Sequence, residues 1–252
     1  PQILDNTFEN LGDTAVYTNC TRSLTVKGNV FNGVKHEGVR LDYASCYGTM
    51  VISENVFVDC TMFGVYLRSY AASAGAMDFT LESNYFYHCG FDADASLCTR
   101  SQPGAFGTAA HQEASAAVFK VNYNVFEDCA GYINVRGNIS DSSTFALTFT
   151  LDASYNAFLT SESALICGNL FGSDTTATNF AIGTFNNNFY GTDATTKYTP
   201  AATQFEHVVA MDTTTYDTVA ALKEALPENA KLGEMPAGLL PLTVAQTIAY
   251  AN

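Results

Sequence analysis

Seven residues with side chains suited to sugar polymers stand at fixed offsets from an apolar position: Tyr17, Arg40, Asp42, Tyr66, Arg68, Asn134 and Arg136. Each follows Val16, Val39, Val65 or Ile133 by one or three residues. In a strand those offsets share one face. The spacing therefore predicts an inward column of Val16, Val39, Val65, Ile133 and Leu165 and two outward ones. The first outward column is Tyr17, Arg40, Tyr66, Asn134 and Ile166; the second is Asn19, Asp42, Arg68, Arg136 and Gly168. Tyrosine rings can stack on sugar rings, and an arginine fork can hold a uronate carboxylate. A lyase at such a face needs a base for the proton α to the carboxylate and a cation for the enolate. Arg68 or Arg136 with Asp42 would supply parts of that set. The plainer alternative is a solvated sheet face, where cross-strand Arg–Asp pairs contribute about 0.2–1 kcal/mol.

Other reactive side chains are scattered. Residues 90–116, rich in Gly, Ala and Ser, read as an insertion carrying Cys98, Arg100, His111 and Glu113. Insertions in repeat proteins often line a binding face, so Arg100, His111 and Glu113 are loop candidates beside the ordinary reading of a tolerated surface loop. Asp92 and Asp94 form a weak calcium signal without the further ligands and glycine of a calcium loop, and loop solvation is the expected role. His36, His88, His111 and His207 show no metal spacing, so no metal site and no cofactor is expected. Asn19-Cys20-Thr21 and Asn138-Ile139-Ser140 match glycosylation acceptors, a short motif that recurs by chance. There is no phosphate-binding glycine loop, no Gly-x-Ser-x-Gly and no His-Glu-x-x-His.

The elements that must position these residues are legible as a repeat. Asn-x-Phe recurs at Asn6, Asn29, Asn55, Asn84, Asn124, Asn156 and Asn187, at intervals of 23, 26, 29, 40, 32 and 31 residues. Five residues before the Asn stand Leu24, Met50, Phe79, Phe119, Leu151 and Ile182. Three before it stand Val26, Ile52, Leu81, Val121, Ala153 and Thr184. That alternation is the period-two pattern of a strand. Cys60, Cys89 and Cys129 follow the Phe by three residues and read as a buried ladder, since no Cys-x-x-Cys exists. The Asn tolerates left-handed backbone, and its amide can bond to the next coil.

The pattern resembles the right-handed parallel β-helix repeat family, the superfold of pectate lyases and many bacterial surface proteins. The Asn-x-Phe anchors and their −5 and −3 columns carry the resemblance over about residues 2–190. It implies an all-β fold, a single-stranded right-handed parallel β-helix of about seven coils with a short helical or irregular C-terminal tail. The family includes lyases, hydrolases, adhesins and fibres, so activity must be argued from the site. The clustered acids that the resemblance would imply for a pectate lyase are missing. The Asn-Gly-acidic-aliphatic and Lys-Ser signatures of alginate-lyase-like members are missing too. Asn32-Gly33 is not followed by an acidic pair, and Asp42 has no carboxylate partner in its column. A hydrolase would need paired acids on neighbouring coils. Any catalytic groups would then be expected in coils before Pro1.

The repeat fades after about residue 205, dividing the chain into a β-helix over 1–205 and a cap or linker over 206–252. Tyr216–Leu226 reads as a helix with Val219, Leu222 and Leu226 on one face and Pro227 ending it. Thr243 and Gln246 make a second helix start. In the 252 residues, 47% are apolar, 14% are charged and the net charge is −14. Such a balance disfavours nucleic acid and anionic membrane surfaces as partners. No run approaches the roughly 18 apolar residues of a spanning helix, so no membrane insertion is expected. Pro1 reads as a processed end or the edge of a fragment of a longer multidomain chain. The leading expectation is an extracellular or cell-surface module that binds a polysaccharide or cell-surface glycan, or mediates adhesion, without catalysis. A polysaccharide lyase or glycoside hydrolase acting on acidic polysaccharides is the alternative, and a structural spacer the third.

Overall fold

Each Asn-x-Phe anchor becomes a corner of one coil. A computed structural model of the chain describes residues 1–19, 22–42, 48–69, 77–91, 104–110, 117–136, 147–159, 164–169, 178–184, 188–190, 209–211, 214–216 and 230–231. Three strands make a coil. The first holds β1 (Gln2–Leu4), β2 (Thr7–Glu9) and β3 (Val16–Thr18). The next two hold β4 (Leu24–Lys27), β5 (Val30–Asn32) and β6 (Glu37–Asp42), then β7 (Gly48–Ser53), β8 (Val56–Val58) and β9 (Phe63–Ser69). β10 (Met77–Glu82), β11 (Tyr85–Tyr87) and β12 (Gly104–Ala110) form the fourth, and β13 (Ala117–Asn122), β14 (Val125–Glu127) and β15 (Gly131–Arg136) the fifth. β16 (Leu147–Asp152), β17 (Ala157–Leu159) and β18 (Ala164–Asn169) precede β19 (Thr178–Thr184) and β20 (Asn188–Tyr190). The chain adds β21 (Val209–Met211), β22 (Thr214–Tyr216) and β23 (Ala230–Lys231).

From β1 to β21, every third strand joins the same sheet. Sheet A runs β1-β4-β7-β10-β13-β16-β19, sheet B runs β2-β5-β8-β11-β14-β17-β20-β23, and sheet C runs β3-β6-β9-β12-β15-β18-β21-β22. All pairings are parallel except β21 with β22. The chain is thus a right-handed parallel β-helix of seven coils, as the repeat implies. No helix occurs among the described residues, and so none there is long and apolar enough to cross a membrane. Tyr216, where a helix was expected to start, ends a strand instead, and residues 217–226 lie outside the described ones.

Register turns sequence columns into ladders. Phe8, Phe31, Phe57, Phe86, Phe126 and Phe158 stack nearly parallel with centroids 4.7–5.3 Å apart. All but Phe8 are fully buried. Beside them the Asn amides form a continuous chain. Asn29 N–H and Nδ2 donate to Asn55 Oδ1 at 2.9 and 3.0 Å, and Asn55 does the same to Asn84. The pattern continues through Asn124, Asn156 and Asn188. A second Nδ2 bond reaches the strand of the preceding coil, as from Asn84 to Ile52 O at 2.9 Å. These buried amides are therefore satisfied, as burial of polar groups demands.

The left-handed backbone expected of the Asn falls on the residue before it. Asp5, Gly28, Glu54, Ser83, Tyr123 and Tyr155 all have positive φ. A second left-handed column lies two residues after the Phe: Asn10, Gly33, Asp59, His88 and Asp128. These paired kinks bend the chain into and out of the short sheet B strand.

Two further expectations are corrected. Residues 104–110 are not insertion loop but strand β12, which takes its own place in sheet C between β9 and β15. Phe106 fills the core position of Val65 and Ile133 and is fully buried. The last anchor is Asn188, with Tyr190 opposite Phe158, rather than Asn187 with Phe189. A register shift in β19, where Asp152 faces Thr184, moves the chain by one residue. Since strand faces alternate, one residue exchanges every inside position for an outside one.

Candidate functional site

The first outward column becomes a stack on sheet C. Tyr17, Arg40 and Tyr66 occupy consecutive register positions on β3, β6 and β9. The Arg40 guanidinium carbon lies 5.6 Å from the Tyr17 ring centre and 5.8 Å from that of Tyr66, within reach of cation–π attraction to both. Tyr66 in turn stacks on Phe63 at 4.7 Å. The next strand offers Gly107 at this position. A Cβ there would lie 2.7 Å from Phe63 Cδ1 and closer still to Cε1, so the bare glycine makes room for the ring. The order along the face is Tyr17, Arg40, Tyr66, Phe63.

Arg40 is held from below as well. Its Nη1 meets Glu37 Oε1 at 3.3 Å, and Thr14 Oγ1 donates to Glu37 Oε2 at 2.6 Å. Glu37 is 1% exposed, and its burial is compensated by these two donors. Tyr17 is 50% exposed, whereas Tyr66, expected on the open face, is buried together with Phe63 and Met62. Asp13 stands close by, pairing with His36 Nδ1 at 2.9 Å. The Thr14 backbone N–H, then the His36 and Arg40 charges, hold its carboxyl below the usual aspartate value.

The second column divides. Asp42 and Arg68 face one another in register. Arg68 then faces Ala109, and Ala109 faces Arg136, so a whole coil lies between the two arginines. Gly107 likewise separates Tyr66 from Asn134. In the next strand Ile166, not Leu165, continues the Val65–Phe106–Ile133 column, and Cys167 and Asn169 oppose Asn134 and Arg136. The expected alignment was one residue out because β18 begins at Ala164, opposite Gly131. Arg100, His111, Glu113, Asp92 and Asp94 lie outside the described residues.

Sequence reasoning missed a group at the corner between sheets B and C. Asp59, His88 and Asp128 share the second left-handed column on three successive coils. His88 Nδ1 meets Asp59 Oδ1 at 2.6 Å, and Phe91 stacks on the imidazole at 4.5 Å. The offset of two from each Phe would have revealed this column, had the polar turn residues been aligned as the apolar ones were. The arrangement offers an oriented imidazole between two carboxylates, although an exposed ion pair contributes little stability. Glu37 and Phe63 were missed because an acid and an aromatic at one register position show no shared pattern.

The cysteine column is as expected: Cys60, Cys89 and Cys129 are free and fully buried. Burial pushes the Cys60 and Cys129 thiols well above the usual range. Among the described residues no group of three or more His, Cys, Asp and Glu could hold a metal ion. On the other face of sheet B, Val56, Val58, Tyr85, Val125 and Ala157 form a separate apolar cluster. There the Tyr85 hydroxyl donates to Glu127 Oε2, and burial raises the Glu127 carboxyl above its usual value.

Comparison with known protein families, with curated proteins and with solved structures gives no match to this chain.

Proposed function

We propose that the chain is an extracellular, cell-surface β-helix module, of the pectate-lyase-like type found in bacterial surface proteins, that binds glycans or mediates adhesion through sheet C without catalysis. The observation that carries this reading is the Tyr17–Arg40–Tyr66–Phe63 stack with its exposed terminal ring. A ring already fixed on a guanidinium loses little freedom when a sugar docks, so more of the contact energy appears as affinity. The commitment of Arg40 to Glu37 leaves the stack electrically balanced and suits the C–H face of a pyranose.

The test is incubation of the chain with a panel of neutral and acidic polysaccharides. Binding and the ultraviolet absorbance of unsaturated sugar ends are followed together. The expected result is binding that Tyr17→Ala weakens at least tenfold, with no rise in absorbance. Binding unaffected by Tyr17→Ala would remove sheet C from the reading, and no binding at all would favour a spacer. A second reading, a polysaccharide lyase or glycoside hydrolase, is favoured by the Asp59–His88–Asp128 column. Chain cleavage that is lost in His88→Ala would establish it.

A further inference from the structure

The first left-handed column carries small or acidic residues until the fifth coil, where it changes to Tyr123 and then Tyr155. Positive φ is rare for a bulky residue. The two rings stack at 5.0 Å with planes 7° apart, and both remain more than a third exposed. Ser83 precedes Tyr123 in the column. The register is fixed because Ser83 N–H donates to Asn122 O, and Tyr123 N–H to Ser154 O, each at 3.2 Å. The face of Tyr123 turned away from Tyr155 therefore overlooks a serine side chain. One coil beyond Ser83 stands Glu54, joined to Lys27 Nζ at 2.9 Å.

Tyr123 and the Glu54–Lys27 pair thus flank a notch two coil spacings wide, about 9.6 Å between residue positions. Its floor is Ser83, and the missing layer is one ring thick. An apolar ring face, a hydroxyl floor and a paired acid and ammonium opposite are the groups that hold a pyranose. Asp5, Glu54 and Glu82 all act on the single Lys27, so carboxylates outnumber cations around the notch. Uronates and sulfated sugars are disfavoured there.

We propose that this notch is a second carbohydrate site, distinct from sheet C, that takes a neutral pyranose stacked on Tyr123 with its hydroxyls bonded to Ser83, Glu54 and Lys27. It does not depend on the sheet C reading. With two sites on different edges, one molecule can cross-link or grip a polymer at two points.

The probes are neutral hexasaccharides of β-1,4-glucose and β-1,4-mannose, with hexagalacturonate as the anionic comparison, titrated by calorimetry and saturation-transfer NMR. Tyr123→Gly removes the ring at a φ that glycine accepts. Ser83→Tyr fills the notch with a third stacked ring and leaves Tyr123 in place. In a Tyr17→Ala background, which removes the exposed ring of sheet C, the expected result is retained binding of a neutral hexasaccharide that each variant weakens at least tenfold. Should one variant fail to fold, the other decides. The proposal is overturned if no neutral hexasaccharide binds, if Ser83→Tyr binds like wild type, if hexagalacturonate is preferred, or if only Tyr17→Ala abolishes binding.

Discussion

Phe63 of β9 lies flat against Gly107 of β12, in the space that any Cβ at position 107 would occupy. That contact seats the aromatic stack of sheet C and can be broken by one methyl group. Gly107→Ala is expected to destabilise by about 1–3 kcal/mol, the usual cost of overpacking. In a Phe63→Ala background the same change should cost almost nothing. Urea denaturation of the four proteins in this cycle measures the difference.

The buried amide ladder makes a graded prediction. Asn84→Ala removes the acceptor of Asn55 N–H and Nδ2 and the donor to Ile52 O. At about 1–3 kcal/mol for each buried group left unpaired, the loss should reach about 3 kcal/mol or more. Asn6→Ala, at the exposed end of the ladder, should cost about 1 kcal/mol. Equal losses in a denaturation series would show that the ladder is not cooperative.

Val65 and Arg68 stand three positions apart on one strand, where positions alternate between faces. Val65 is fully buried, so Val65→Asp places a charge among apolar neighbours and should unfold the stack around the third coil. Arg68→Ala should stay within about 0.5 kcal/mol of wild type. Hydrogen exchange across coils two to four would locate the damage.

Glu127 supplies a pH dependence of opposite sign to that of a salt-bridged acid. Burial raises its folded pKa above the unfolded value of 4.5, so the folded state binds more protons. Its contribution is fully present below pH 4.5 and is lost as the pH rises through the folded pKa. Glu127→Gln should therefore be at least as stable as wild type at pH 7, with the advantage shrinking as the pH falls through the folded pKa and constant below pH 4.5. Thermal melts of both proteins from pH 3.5 to 7 test the sign.

Much of this architecture could be read from residue spacing because a parallel stack places like residues over like. Asn55, Asn84 and Asn124 are identical for the reason that each amide must meet the next. Strand β12 escaped that reading because Gly104-Ala105-Phe106-Gly107 puts glycine where other coils have polar or aromatic outward residues. The slip at Asn187 was hidden for a different cause: three asparagines in a row cannot show which one carries the ladder. The Tyr17–Arg40–Tyr66 face was legible as alternation. Its charge balance was not, because Glu37 reaches Arg40 along the same strand, three positions back.

The asparagine chain also gives the molecule an electrical direction. Every amide from Asn29 to Asn156 turns its oxygen toward the earlier coil, while its backbone N–H and one Nδ2 hydrogen go to the later coil and another Nδ2 bond reaches back. Aligned dipoles of this kind polarise each other and add along the axis, where dipoles in a sheet usually cancel. The two ends of the solenoid are therefore chemically opposite. Asn6 donates its backbone N–H and Nδ2 to Asn29 Oδ1, so any strand laid over the first coil with its own amide in the same sense extends the chain. A strand laid in the reverse sense brings oxygen against oxygen.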